Sequence, residues 1–151
     1  MLITALAVIG GIAIGAWFRP LPNNKSQSTQ PAPTYTQQQV SDAKAKVCAA
    51  YQKVRHANEL ARALYLGDDQ VAKQVVAEGG WLALDGGSRY LSTTLAEEPA
   101  TPSDLAAAVR KLADLYQILA INYMASVAHS EQDPVLRASH DVTAELERLC
   151  K

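Results

Sequence analysis

The chain has 151 residues and a formal net charge of −1, with 48% hydrophobic but only 6% aromatic residues. Arg19 and Lys25 are the only charges before Asp42, after which 12 basic side chains face 15 acidic ones, a balance of −3. That balance excludes a basic footprint for nucleic acid, and frequent alanine with scarce β-branched alternation points to one all-helical domain rather than a sheet.

Met1 to Phe18 is nearly all apolar, and no charged residue falls between Leu2 and Phe18. A bilayer span needs roughly 17–25 such residues, so the run is read as an uncleaved transmembrane anchor. A signal peptide cut after Ala16 is the rival, but it lacks a basic n-region and carries Ile14 where a small residue is preferred. No cysteine follows the run before Cys48, which excludes a lipoprotein anchor. Ala7, Gly11 and Gly15 recur every four residues, a spacing that lets two membrane helices approach closely. Small residues are also simply common in such helices.

Residues 19–35 form a linker. Pro20, Pro22, Pro31 and Pro33 alternate with Asn, Ser, Gln and Thr, leaving too little apolar surface to fold. Proline makes it a semi-stiff spacer with a reach of ~50 Å at ~3.1 Å per residue. Asn24-Lys25-Ser26 is a formal N-glycan sequon, and Ser26, Ser28, Thr29 and Thr34 are formal O-glycan positions.

The remainder, residues 36–151, divides into four helical stretches at about 37–66, 69–98, 102–128 and 134–150. Thr36 with Gln39 makes a capping box before the first, whose seam runs Val40, Ala43, Val47, Ala50, Val54, Ala57, Ala61, Leu64. Gly67 stops it and Asp68 or Asp69 caps the next. Val71, Val75, Leu82, Tyr90 and Leu91 are expected to supply the second helix's core side. Gly79-Gly80 and Gly86-Gly87 interrupt this stretch, each glycine costing roughly 1 kcal/mol against alanine, and a continuous but weakened helix is expected. Pro99 ends it.

Thr101-Pro102-Ser103-Asp104 reads as a cap, a proline at the first helical position and an acid in the first turn. The third helix then holds Leu105, Val109, Leu112, Tyr116, Leu119 and Tyr123 in one seam. The fourth starts at Ser130 or Asp133, with Pro134 near its start, and carries Val135, Ser139, Val142, Leu146 and Leu149. Four amphipathic helices on short loops predict an antiparallel up-down bundle.

Two cysteines in an exported domain invite a disulfide. In an up-down bundle the end of helix one and the start of helix four share one end. Cys48 lies 18 residues before Leu66 and Cys150 16 after Pro134, about 27 and 24 Å from that end at ~1.5 Å per residue. The sulfurs therefore meet at one height, predicting a structural Cys48–Cys150 bridge. The flanking charges point the other way: Arg19 and Lys25 follow the anchor and no basic residue precedes it, which by the positive-inside rule favours a cytoplasmic domain. The cysteines are weighted above these two charges.

Catalytic signatures are missing from the sequence. No Glu has a histidine three residues on, so no di-iron pattern exists, and His56, His129 and His140 contain no pair four apart. Met124 and His140 are a Met and a His without a Cys-x-x-Cys-His motif to attach haem, and no cofactor or metal is expected. Ser139, His140 and Asp141 are consecutive and face different ways on a helix, which rules out a triad. The glycine pairs lack the Lys and Ser/Thr of a phosphate loop. Gly79, Gly80, Trp81, Gly86 and Gly87 mark either a close helix–helix contact, the favoured reading, or a groove for a ligand or partner.

Gly15-Ala16-Trp17-Phe18-Arg19-Pro20, PTYTQQQVSDAKAKVCAAYQKV (33–54) and LAEEPATPSDLAAAVRKLADLYQ (95–117) resemble a family of uncharacterised, alanine-rich, single-pass membrane proteins of mycobacteria and related actinobacteria. The resemblance covers most of the chain, including Cys48 and Cys150, and implies an envelope location without a known activity. The expectation is a non-enzymatic helical module, anchored in the cytoplasmic membrane with its domain outside, that binds an envelope protein or ligand. A structural subunit assembling through Ala7, Gly11 and Gly15 is the alternative, and an enzyme or small-ligand carrier a distant third.

Overall fold

The computed structural model of the chain describes residues 34–64 and 66–151. The anchor of residues 1–18, with Ala7, Gly11 and Gly15, and nearly all of the linker lie outside the described residues. No helix among the described residues is long and apolar enough to cross a membrane.

The described chain is all-helical: α1 Gln37–Ala63, α2 Gln70–Glu97, α3 Ser103–Met124 and α4 His129–Leu149. Thr36 caps α1 as its sequence predicts. Its hydroxyl accepts from the Gln39 amide at 3.2 Å, while its own amide donates to Gln39 Oε1 at 2.8 Å. Asp69 starts α2, its Oδ1 accepting from the amides of Val71 and Ala72, both at 3.0 Å. The turn before it needs Gly67 at φ +122°, a region closed to most side chains.

Two helix starts differ from expectation. Thr101 does not cap α3. Its hydroxyl donates to the Glu98 carbonyl at 2.6 Å and closes the α2–α3 turn, so Pro102 stands at the cap position and Ser103 is the first helical residue. At the other end, α3 stops at Met124, short of 128. Ser126 takes a left-handed φ of 54° there, and the amides of Val127 and Ser126 bond back to Asn122 and Tyr123 at 3.0 and 3.1 Å. That early stop leaves room for α4 to begin at His129, which places Pro134 inside it. The Gln132 amide, nearly fully buried, donates to the Val127 carbonyl at 2.7 Å and ties this start to the turn.

The helices pack antiparallel in sequence around one core. Along α1 and α2, Lys46 pairs with Glu98 at 2.6 Å, and further down Lys53 reaches the Tyr90 hydroxyl at 3.4 Å. Below these, Val54 meets Gly87. Tyr51 and Arg55 then link α1 to α4, through the Thr143 carbonyl at 3.2 Å and Glu147 at 2.8 Å. The core consists of Val47, Ala50, Tyr51 and Val54 on α1 with Leu91 and Leu95 on α2. Leu105, Val109, Leu112 and Leu119 on α3 and Val142 and Leu146 on α4 complete it.

Cys48 and Cys150 form a disulfide that joins α1 to the end of α4, with Cα atoms 5.6 Å apart at a sequence separation of 102. The bridge thus ties the C-terminal end of α4 to the middle of α1.

The face that α2 turns inward is the main correction. Val71, Val75, Leu82 and Tyr90 are all exposed, between 42% and 72%, and only Leu91 of the expected set is buried. The inner face is Ala72, Val76, Gly80, Leu84, Ser88, Leu91 and Leu95, again at three-four spacing but one residue out of step with the large side chains. The helix runs unbroken through all four glycines.

Candidate ligand cavity between the four helices

Below the Val54–Gly87 contact, the inner faces change character. On α1 the inward positions pass from Val54 to Asn58 and the small Ala61, flanked by Arg55, Glu59 and Arg62, while Ala57 of the expected seam is exposed. On α2 the facing positions are Val76, Ala77 and Gly80. Small residues on both helices leave space that neighbouring side chains do not fill. The result is a partly open cavity of about 360 Å³, within the roughly 300–1,000 Å³ of small-molecule sites.

All four helices line it. Val76, Leu84, Leu119 and Leu136 supply apolar walls, with the rings of Tyr116 and Tyr123 from α3. Arg55, Glu59, Arg62, His140 and Glu147 supply the charged and titratable side chains of its lining. Arg55 donates through Nη1 to Glu147 Oε1 at 2.8 Å, while its Nε stands 3.7 Å from Glu59 Oε1, too far for a hydrogen bond. Both partners of the Arg55–Glu147 pair are over a third exposed, so it adds at most ~1 kcal/mol of stability. Its effect is on placement: the guanidinium holds Glu147 and stands beside Glu59. Arg62 makes no ion pair among the described residues.

Burial holds the Tyr116 hydroxyl neutral to higher pH than usual, while the neighbouring Asn58 amide and Arg62 guanidinium pull the other way. Asn58 Nδ2 stands beside that hydroxyl without completing a hydrogen bond to it. It is one of two buried nitrogens in this wall with no acceptor, Arg55 Nε being the other. The hydroxyls of Ser139 and Thr143, by contrast, are committed to the Leu136 and Ser139 carbonyls, each at 2.8 Å. Neither is placed as an activated nucleophile.

Of the residues singled out from sequence, the structure separates the glycine cluster. Gly80 lines the cavity, whereas Gly87 packs against Val54. A Cβ at Gly79 or Gly86 would meet nothing within 4 Å, and Trp81 is half-buried away from the lining. His56 and His129 are exposed, and so is His140, although it lies in the cavity lining. Met124 is exposed and is not among the lining residues, so the cavity does not join it to His140. No group of three metal-ligating side chains occurs among the described residues. Sequence reasoning passed over Arg55, Asn58, Arg62 and Tyr116. Their signal was present: 55, 58 and 62 recur at three-four spacing directly beside the seam, a polar stripe where a helix buried on that side would carry none.

The distal end beyond the cavity also exposes Leu60, Leu64, Leu66, Val71, Val75 and Met124. What this arrangement can do is hold a molecule with an apolar body and a polar end. Comparison with protein-family models, with curated proteins and with solved structures finds no match for this chain.

Proposed function

We propose that this chain is a tethered helical binding module working outside the cytoplasm: a bundle whose α1 and α4 are stapled by a disulfide and whose four helices enclose a ligand cavity. The observation that carries the reading is the cavity of about 360 Å³ lined by all four helices. The Cys48–Cys150 bridge supports an oxidising compartment. The apolar run of residues 1–18 and the resemblance to alanine-rich single-pass proteins support a membrane tether in the envelope. Binding, not catalysis, is the role: the lining offers walls, donors and an ion pair, with its hydroxyl groups on Ser139 and Thr143 already committed.

The test is retention. The chain purified from envelope membranes in mild detergent is expected to carry a co-purifying apolar molecule, detected by mass spectrometry after extraction. Gly80→Leu, which fills the cavity from a position with no neighbour within 4 Å, is expected to abolish retention. Retention unchanged by that substitution would place the binding elsewhere. For the compartment, Cys48 and Cys150 are expected to resist thiol reagents in intact cells until a reductant is added; free reactive thiols would overturn an external domain.

A further inference from the structure

We propose that the cavity takes a molecule with an apolar body ending in an anionic oxygen head, a carboxylate or phosphate monoester, with the head at Arg62. The inference rests on the binding reading above and adds the class of ligand. Its first ground is the division of the lining, in which Val76, Leu84, Leu119 and Leu136 form an apolar floor while the charged groups gather on α1 and α4. Such walls favour a molecule that buries hydrocarbon and keeps a polar end at the edge.

The second ground is the state of the charges. Of the two carboxylates in the lining, Glu147 accepts from Arg55 at 2.8 Å, whereas Glu59 stands 3.7 Å from the same guanidinium without a hydrogen bond. Arg62 is exposed, lines the same cavity and has no carboxylate within ion-pair distance among the described residues. It lies close enough to Tyr116 to act on that hydroxyl's acidity. The buried uncommitted polar atoms of this lining, Arg55 Nε and Asn58 Nδ2, are donors. A planar guanidinium with free N–H groups matches a carboxylate or phosphate in both charge and shape. A cationic head would meet the positive charge of Arg62, and the one carboxylate without a hydrogen bond, Glu59, stands only 3.7 Å from Arg55.

The experiment uses the full chain in detergent micelles, with bound probe counted by native mass spectrometry. Four probes share one chain: hexadecanoate, hexadecyl phosphate, hexadecanol and hexadecyltrimethylammonium. One or both anions are expected to bind about tenfold or more tightly than the alcohol, and the cation least of all. Which of the two anions is preferred identifies the head as carboxylate or phosphate. Arg62→Gln is expected to cut the preference for anions over the alcohol to about twofold or less. Gly80→Leu is expected to remove binding of every probe while circular dichroism shows helicity retained. Equal binding of all heads, unaffected by Arg62→Gln but lost in Gly80→Leu, would overturn the anionic head and leave the cavity reading standing. Binding that survives Gly80→Leu would overturn both.

Discussion

Val54 on α1 occupies the space that a side chain at Gly87 on α2 would need: a Cβ at Gly87 would come within 2.7 Å of Val54 Cγ1. Gly87→Ala is therefore expected to destabilise the bundle by about 1–3 kcal/mol, since Val54 is nearly fully buried and has little room to yield. Gly79→Ala and Gly86→Ala meet open space and are expected to stabilise by up to ~1 kcal/mol each through helix propensity. Urea midpoints of the three variants check this. Three equal shifts would show that Gly87 is not a packing glycine.

This contact also shows what the sequence could and could not disclose. The α1 and α3 seams were legible where their inward positions are large or β-branched: Val47, Val54, Leu105, Val109, Leu112 and Leu119 are all buried. Ala57 and Leu64 at the end of the expected α1 seam, and Tyr123 at the end of the α3 seam, are exposed. Thr36 and Gln39 announced the start of α1 through local chemistry alone. The bridge was legible because helix rise fixes height, and height paired Cys48 with Cys150.

Helix α2 was misread because its inward face holds Ala72, Gly80 and Ser88 while Val71, Val75 and Leu82 point outward. Hydrophobic periodicity assumes that the larger side chain goes inside. Here the neighbouring helix comes so close at Gly87 that small residues win, and the same small residues lower down open the cavity. The site was hidden for that reason: a cavity is made by side chains that are absent, and no motif records them.

The disulfide closes a loop of 102 residues and is the only covalent tie between α1 and α4. Loop-closure entropy puts its contribution at about 4–5 kcal/mol, with roughly 2–5 usual for bridges of small exported domains. Replacing both Cys48 and Cys150 by Ala is expected to lower the urea midpoint accordingly. Adding a reductant should reproduce that shift in the parent chain and leave the double variant unchanged. A reductant effect on the double variant would show that the shift does not come from this bridge.

Ser126 sits at φ 54° in the turn that ends α3, where its amide and that of Val127 bond back to Tyr123 and Asn122. A non-glycine residue pays roughly 1–2 kcal/mol to hold that conformation. Ser126→Gly is expected to stabilise by up to ~1 kcal/mol, the greater freedom of glycine in the unfolded chain offsetting part of the gain. Ser126→Val should destabilise by at least as much, because a β-branched residue tolerates a positive φ poorly. Both are read as midpoint changes at constant denaturant slope, which separates native-state strain from altered compactness.

Tyr51 is fully buried between α1 and α4, its hydroxyl donating to the Thr143 carbonyl at 3.2 Å. Burial, with the Glu147 carboxylate nearby, pushes its pKa up from 10.0 to about 12, and burial raises that of Tyr116 as well. In the unfolded chain both phenols ionise near pH ~10. Between there and the folded values the unfolded state binds fewer protons, so stability is complete below pH ~10 and falls as pH rises towards 12. Urea unfolding at pH ~8 and at pH ~11 should show the loss. Tyr51→Phe gives up a hydrogen bond worth ~1 kcal/mol at neutral pH, yet should lose less on going alkaline, since one of the two phenols that resist ionisation is gone. An equal alkaline loss in parent and variant would place its origin outside Tyr51.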